Sequence, residues 1–184
     1  MGAQAAALRC RGSRVNEPPQ LVIGPMRSSD RERVTEVLRS AENFRDDEID
    51  VALELFDASF SGDDYVFVGA FHRELLGFAC YGRTPATDRT YDLYWIAVDR
   101  NAQGSGCGSR LLAEVERRLE ALHARMLVVE TSSRSDYTAT RGFYLRRGYV
   151  EAARVREFYA PADDRIILTK RLAGSLRRGW GAVA

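Results

Sequence analysis

Three glycines fall within five residues in Gln103-Gly104-Ser105-Gly106-Cys107-Gly108, directly after the apolar run Tyr94-Trp95-Ile96-Ala97-Val98 and just before a stretch of helical periodicity. Glycine lets a ligand approach the backbone closely, and the first N–H groups of a helix have no partner inside it. A strand, a glycine turn and a helix in that order therefore form a seat for phosphate or pyrophosphate. A mononucleotide loop of the GxxxxGK type is excluded, because the only lysine in the chain is Lys170. A dinucleotide fingerprint, GxGxxG, would begin at Gly104 and Gly106 but meets Ser109 where its third glycine belongs, although Glu130 stands near the place of a ribose-binding acid. That motif also normally follows the first strand of its domain, whereas this loop follows the fourth expected one. A flexible connection is the bland alternative. Cys107 has no histidine near it in sequence, and a cysteine between glycines fits a tight turn better than a nucleophile.

The elements that must position this loop follow from periodicity. Strands are expected at 21–23, 65–71, 75–82, 90–98, 126–130, 149–159 and 165–171. One helix carries Val34, Val37, Leu38 and Ala41 on a face, with Ser28, Ser29 and Asp30 as cap candidates. A second carries Ile49, Ala52, Leu53, Phe56 and Phe60. A third buries Leu111, Leu112, Val115, Leu119 and Leu122, and a fourth spans 137–147 and ends at Gly148. The short turn His72-Arg73-Glu74 reads as a hairpin. The fold class is α/β of the mixed α+β kind, with a mostly antiparallel sheet of about seven strands and about four helices.

Two motifs in register resemble the GNAT superfamily of N-acetyltransferases. The segment 103–108 matches its Q/R-x-x-G-x-G/A acetyl-coenzyme A motif, and Phe143-Tyr144-Leu145-Arg146-Arg147-Gly148-Tyr149 resembles its aromatic-Tyr-x-x-x-Gly-aromatic segment. The expected strand and helix order over 20–172 fits the fold of that family. The resemblance implies that Ile96, Ala97 and Val98 offer backbone groups to the pantetheine arm, and that Gln103, Gly104, Ser105, Gly106, Cys107, Gly108 and Ser109 form the cofactor seat. It also implies that Tyr144 lies beside the thioester sulfur and acts as general acid. Arg100, Arg110 and Arg141 are available for phosphates. Glu130 is the first candidate for general base, ahead of Asp92 and Glu157. The chain departs from the family pattern at Tyr137, where an asparagine is common, and at Thr140, where a small residue is common.

The implied function is transfer of acetyl from acetyl-coenzyme A to a primary amine of a small molecule or peptide, with no metal. A non-catalytic acyl-coenzyme A sensor on the same fold and a dinucleotide-dependent oxidoreductase are the alternatives. Composition bears on the partners. Arginine and lysine total 27 against 26 acids, so nothing favours nucleic acid, but residues 1–92 carry 11 bases and 16 acids while 93–184 carry 16 and 10. An anionic cofactor suits the second half. Residues 42–64 hold nine acids against Arg45 alone, which points to an acidic rim for a cationic amine. Three scattered cysteines argue against a disulfide framework, and no apolar run approaches a membrane span, so a cytoplasmic protein is expected. Residues 1–19 read as a disordered arm and 173–184 as a basic tail, and family resemblance makes a homodimer plausible.

Overall fold

Apolar alternation and helical periodicity resolve, in the computed structural model, into elements that cover most of residues 21–41 and 44–173, the part of the chain described below. In chain order these are β1 (Val22–Pro25), α1 (Arg31–Ser40), α2 (Asp46–Ala58), β2 (Val66–His72), β3 (Glu74–Arg83), β4 (Thr90–Val98), α3 (Cys107–Ala121), β5 (Met126–Ser132), α4 (Thr138–Leu145), β6 (Val150–Ala160) and β7 (Asp163–Arg171). The order and type of element match those expected from the sequence. The proposed terminal arm and tail lie outside the described residues, apart from Ala173. No helix among the described residues is long and apolar enough to cross a membrane.

The seven strands form one sheet in the order β1-β2-β3-β4-β5-β7-β6. All neighbours run antiparallel except β4 and β5, which are parallel over four registered pairs, from Thr90 with Met126 to Leu93 with Val129. Alternation of side chains gives the sheet two apolar faces. Val34, Val37 and Leu38 of α1 and Ile49, Ala52, Leu53 and Phe56 of α2 cover one face, against Phe67, Phe78, Cys80 and Ala97. On the other face, Leu111, Leu112, Val115 and Leu119 of α3 and Tyr144 of α4 pack on Val68, Ala79, Leu93, Leu127 and Val129.

Several local details differ from the sequence expectation. Leu122 is 58% exposed and Phe60 46% exposed, because α3 and α2 end before them; Phe60 still packs edge-to-face on Phe56 at 5.1 Å. Asp30 caps a single 3-10 turn, accepting from Arg27 N–H at 2.8 Å, and does not cap α1 itself. The β2–β3 hairpin closes on Arg73 alone, at φ 67. At the far end of α4, Tyr149 N–H donates to Tyr144 O and Gly148 N–H to Leu145 O, with Gly148 at φ 82, which is the Schellman ending expected of a left-handed glycine.

Two features fix the strand that leads to the glycine loop. In β4, Trp95 pairs with Cys80 and Leu93 with Tyr81, so Tyr94 is an extra residue, a bulge that bends the strand. Behind the bulge, Gly77 of β3 lies against β4 so closely that a Cβ there would stand 2.7 Å from Ala97 O and 3.3 Å from Cys107 Sγ. Gly77→Ala should therefore lower stability by about 1–3 kcal/mol through overpacking. The urea midpoint should fall at constant m-value; an unchanged midpoint would show that β4 can yield at this contact.

Candidate active site

Beyond Leu93 and Val129 the parallel pairing of β4 and β5 stops, while β4 remains paired to β3 as far as Val98. The edge of β4 from Tyr94 to Val98 is thus unpaired on its β5 side, and a wedge-shaped opening separates the two strands. A cleft of about 700 Å³ lies on one side of this wedge, lined by Ile96, Ala97, Val98, the glycine loop and α4. A cavity of about 500 Å³ lies on the other, lined by Asp92, Tyr94 and Trp95 of β4, Glu130, Thr131 and Ser132 of β5, and parts of α2, β6 and β7.

The glycine loop enters α3 through Gly104 at φ 79 and Gly106 at φ 87, backbone conformations that favour glycine. Gly106 is the N-cap of α3. Within the loop, Gln103 N–H donates to Arg100 O and Ser105 N–H to Ala102 O, each at 3.3 Å. Those two groups turn inward. The N–H groups of Cys107, Gly108 and Ser109 occupy the first turn of α3, where no helical acceptor exists, and those of Gly104 and Gly106 make no backbone hydrogen bond outside it. Five N–H groups are therefore available to an anion, all within the expected span 103–109, from which Gln103 and Ser105 drop out because their N–H groups are bonded inside the loop. A Cβ on Gly104 or Gly106 would meet nothing within 4 Å, so the space above the loop is open.

Of the expected phosphate partners, Arg141 is committed elsewhere. Its guanidinium donates to Ser132 O and Arg134 O at 2.8 Å and to Thr138 Oγ1 at 3.0 Å, clamping the β5–α4 connection. Arg100 and Arg110 are exposed beside the loop. Sequence reasoning did not single out Arg146 and Arg147, both of which line the cleft. Arg147 stacks on Phe143, 3.8 Å from its ring centre, and donates to Ser109 Oγ. The RRG run at 146–148 carried that signal.

Tyr144 lies in the cleft with 2% exposure, its ring in edge contacts with Phe143 and Tyr149 at 5.1 and 5.3 Å. Burial pushes its phenol well above the ordinary tyrosine value, so it stays protonated at any physiological pH. Glu130 lines the opposite cavity and is ion-paired with Arg165. Asp92 lines the same cavity. Glu157 does not; it accepts from Ala162 N–H at 3.2 Å in the β6–β7 turn. Of the acids on α2, Glu48 alone lines the cavity among the described residues, while Asp46, Asp47, Asp50, Glu54 and Asp57 are exposed on the helix. Tyr137, at the departure from the family pattern, also lines it. So do Tyr159, Ser132 and Asp163, which the sequence showed only as strand ends and a turn.

This arrangement can be compared with known proteins. The profile of the acetyltransferase (GNAT) domain matches residues 62–151. A GNAT-family protein from Desulfovibrio desulfuricans is 40% identical over 84% of this chain and 100% of its own, with a TM-score of 0.81. The chain belongs to the GNAT family of acetyltransferases. The ribosomal-protein-S18-alanine N-acetyltransferase of Escherichia coli shares the fold at 21% identity, covering 90% of this chain and 100% of its own, with a TM-score of 0.72. A Salmonella typhimurium structure described with its cofactor acetyl-CoA shares it at 17% identity, 90% and 98% coverage and a TM-score of 0.68. No curated protein matches the sequence.

Within this GNAT fold, Cys107 is a packing residue, 1% exposed, and burial pushes its thiol up to about 11. A raised thiol value leaves about one molecule in a thousand as thiolate at pH 8. Iodoacetamide should therefore leave Cys107 unmodified in the native protein and label it after unfolding, as read by peptide mass spectrometry. Rapid native labelling would reopen a nucleophilic role.

Proposed function

We propose that this protein transfers acetyl from acetyl-coenzyme A to a primary amine by direct attack, with Tyr144 as general acid. The observation that carries this reading is the wedge between β4 and β5, which joins a cleft bearing an anion seat and a phenol to a separate polar cavity. The cleft suits the cofactor. Five N–H groups at the start of α3 would hold its pyrophosphate, with Arg146 and Arg147 beside it, and the unpaired edge at Ile96, Ala97 and Val98 would hydrogen-bond the pantetheine as an added strand. The cavity suits the acceptor. Two solved proteins of the same fold are described with this cosubstrate, the Salmonella protein above with acetyl-CoA and an aminoglycoside 6'-N-acetyltransferase with coenzyme A, which supports acetyl-coenzyme A as the donor.

The chemistry then follows. The neutral amine nitrogen forms a bond to the thioester carbonyl carbon, and the carbon–sulfur bond breaks with its electron pair on sulfur. Tyr144 gives the departing sulfur a proton, and the nitrogen loses one to water or a carboxylate, from which the phenol is restored. Glu130, held by Arg165, is the first candidate for that carboxylate. The raised phenol value means that no loss of turnover from Tyr144 ionisation should occur up to about pH 10.

Tyr144→Phe should lower kcat about 10²- to 10⁴-fold, with coenzyme A affinity by calorimetry changed only a few-fold. Coenzyme A binding without acetylation of any amine in a broad panel would replace the enzyme by a sensor module. Unchanged kcat in the variant would remove Tyr144 from the chemistry.

A further inference from the structure

The cavity beside the wedge carries negative charge that its own cations do not compensate. Seven charged side chains line it, four carboxylates and three guanidiniums. Each guanidinium already has a carboxylate partner: Arg165 pairs with Glu130, Arg134 with Asp136, and Arg45 with Asp47 at 3.1 Å and Glu48 at 3.8 Å. Asp92 and Asp163 are left. Asp92, half-buried on β4, accepts from Thr84 Oγ1 at 2.6 Å, and Asp163, 8% exposed at the start of β7, accepts from Ser132 Oγ at 2.5 Å. Neither forms an ion pair with any described residue. Both lean on uncharged hydroxyls, which compensate poorly for water withheld from a carboxylate.

Three further observations say what fits between them. Much of the rest of the wall is aromatic, with Phe44, Tyr94, Trp95, Tyr137 and Tyr159, whose ring faces attract cations. Thr131, 6% exposed on the same wall, has a buried hydroxyl with no hydrogen-bond partner among the described residues, and the Nε of Arg165 on the adjoining strand likewise has none. The two uncompensated carboxylates are also spread along the cavity. Asp92 is opposite Val128, and Asp163 bonds Ser132, four residues further along β5, or roughly 13 Å of strand.

We propose that the acceptor is a small linear dicationic amine, a diamine or oligoamine, whose non-reacting ammonium is held by Asp163 while its other nitrogen is acetylated. This rests on the acetyl-transfer reading above and adds to it the substrate class and the residue that selects it. It also moves the recognition of charge from the exposed acids of α2 into the cavity. Only the non-reacting nitrogen stays charged through the reaction, so Asp163 would contribute chiefly to KM.

The test starts with full-length protein titrated calorimetrically with coenzyme A, then with 1,4-diaminobutane and 1-aminobutane, followed by steady-state acetylation of both amines. The diamine should bind, and show kcat/KM, at least about 10-fold better than the monoamine. Asp163→Asn should bring that ratio close to one, mainly through KM of the diamine. Asp50→Asn, on the exposed face of α2, should keep the ratio. If Asp163→Asn does not fold, Asp92→Asn serves as the second variant and should also reduce the ratio. Equal handling of the two amines by the wild type, or a ratio that survives the cavity variants, overturns the proposal. Failure to bind coenzyme A would instead refute the transfer reading, and the amine titration of the free protein would still judge the cavity.

Discussion

The site depends on one limit in the hydrogen bonding of the sheet: β4 and β5 stay together for four residues and then part. Up to Leu93 the two strands are an ordinary parallel pair; at Tyr94 the bulge re-aims β4, and the strand that follows keeps its bonds to β3 alone. An unpaired strand edge inside a protein is costly unless something satisfies it. Here that unsatisfied edge faces the cleft, beside the first turn of α3 with its own unpaired N–H groups. The same geometric event opens the polar cavity on the other side. The free strand edge and the polar cavity are thus consequences of a single parting of strands, with the glycine loop beside them.

Electrostatics reinforces that division. The cleft is built from backbone dipoles, with Arg146 and Arg147 alongside, whereas the cavity places carboxylates among aromatic rings. The three guanidiniums that line the cavity are all tied to acids by ion pairs, so the residual charge is set by the two acids that lack one. The division in formal charge between the halves of the chain corresponds to this only loosely, since Asp163 and Glu130 belong to the basic half.

What was legible in the sequence was what repeats or breaks a repeat. The strands and helices followed from periods of two and 3.6, and the glycine loop from residues that ordinary backbone does not need. Helix ends were less certain because Leu122 and Phe60 fit the apolar period but stand past the last helical turn. The cavity was hardly legible at all. Asp163, Ser132 and Tyr159 lie apart in sequence and meet only when the β6–β7 hairpin curls over the end of β5, and a single acid in a turn carries no mark of that meeting. Arg141 misled for a related reason: its charge suggested phosphate, while its three acceptors are carbonyl and hydroxyl oxygens of a nearby loop.

That clamp has a consequence for how the phenol is kept in place. Arg141 fastens the end of β5 to the start of α4, the helix that carries Tyr144, and it does so with a group that keeps its charge at every pH a protein survives. A histidine or carboxylate in the same place would loosen or tighten as the medium changed. The mounting of the phenol is therefore indifferent to protons, even though the role proposed for the group mounted on it is to deliver one.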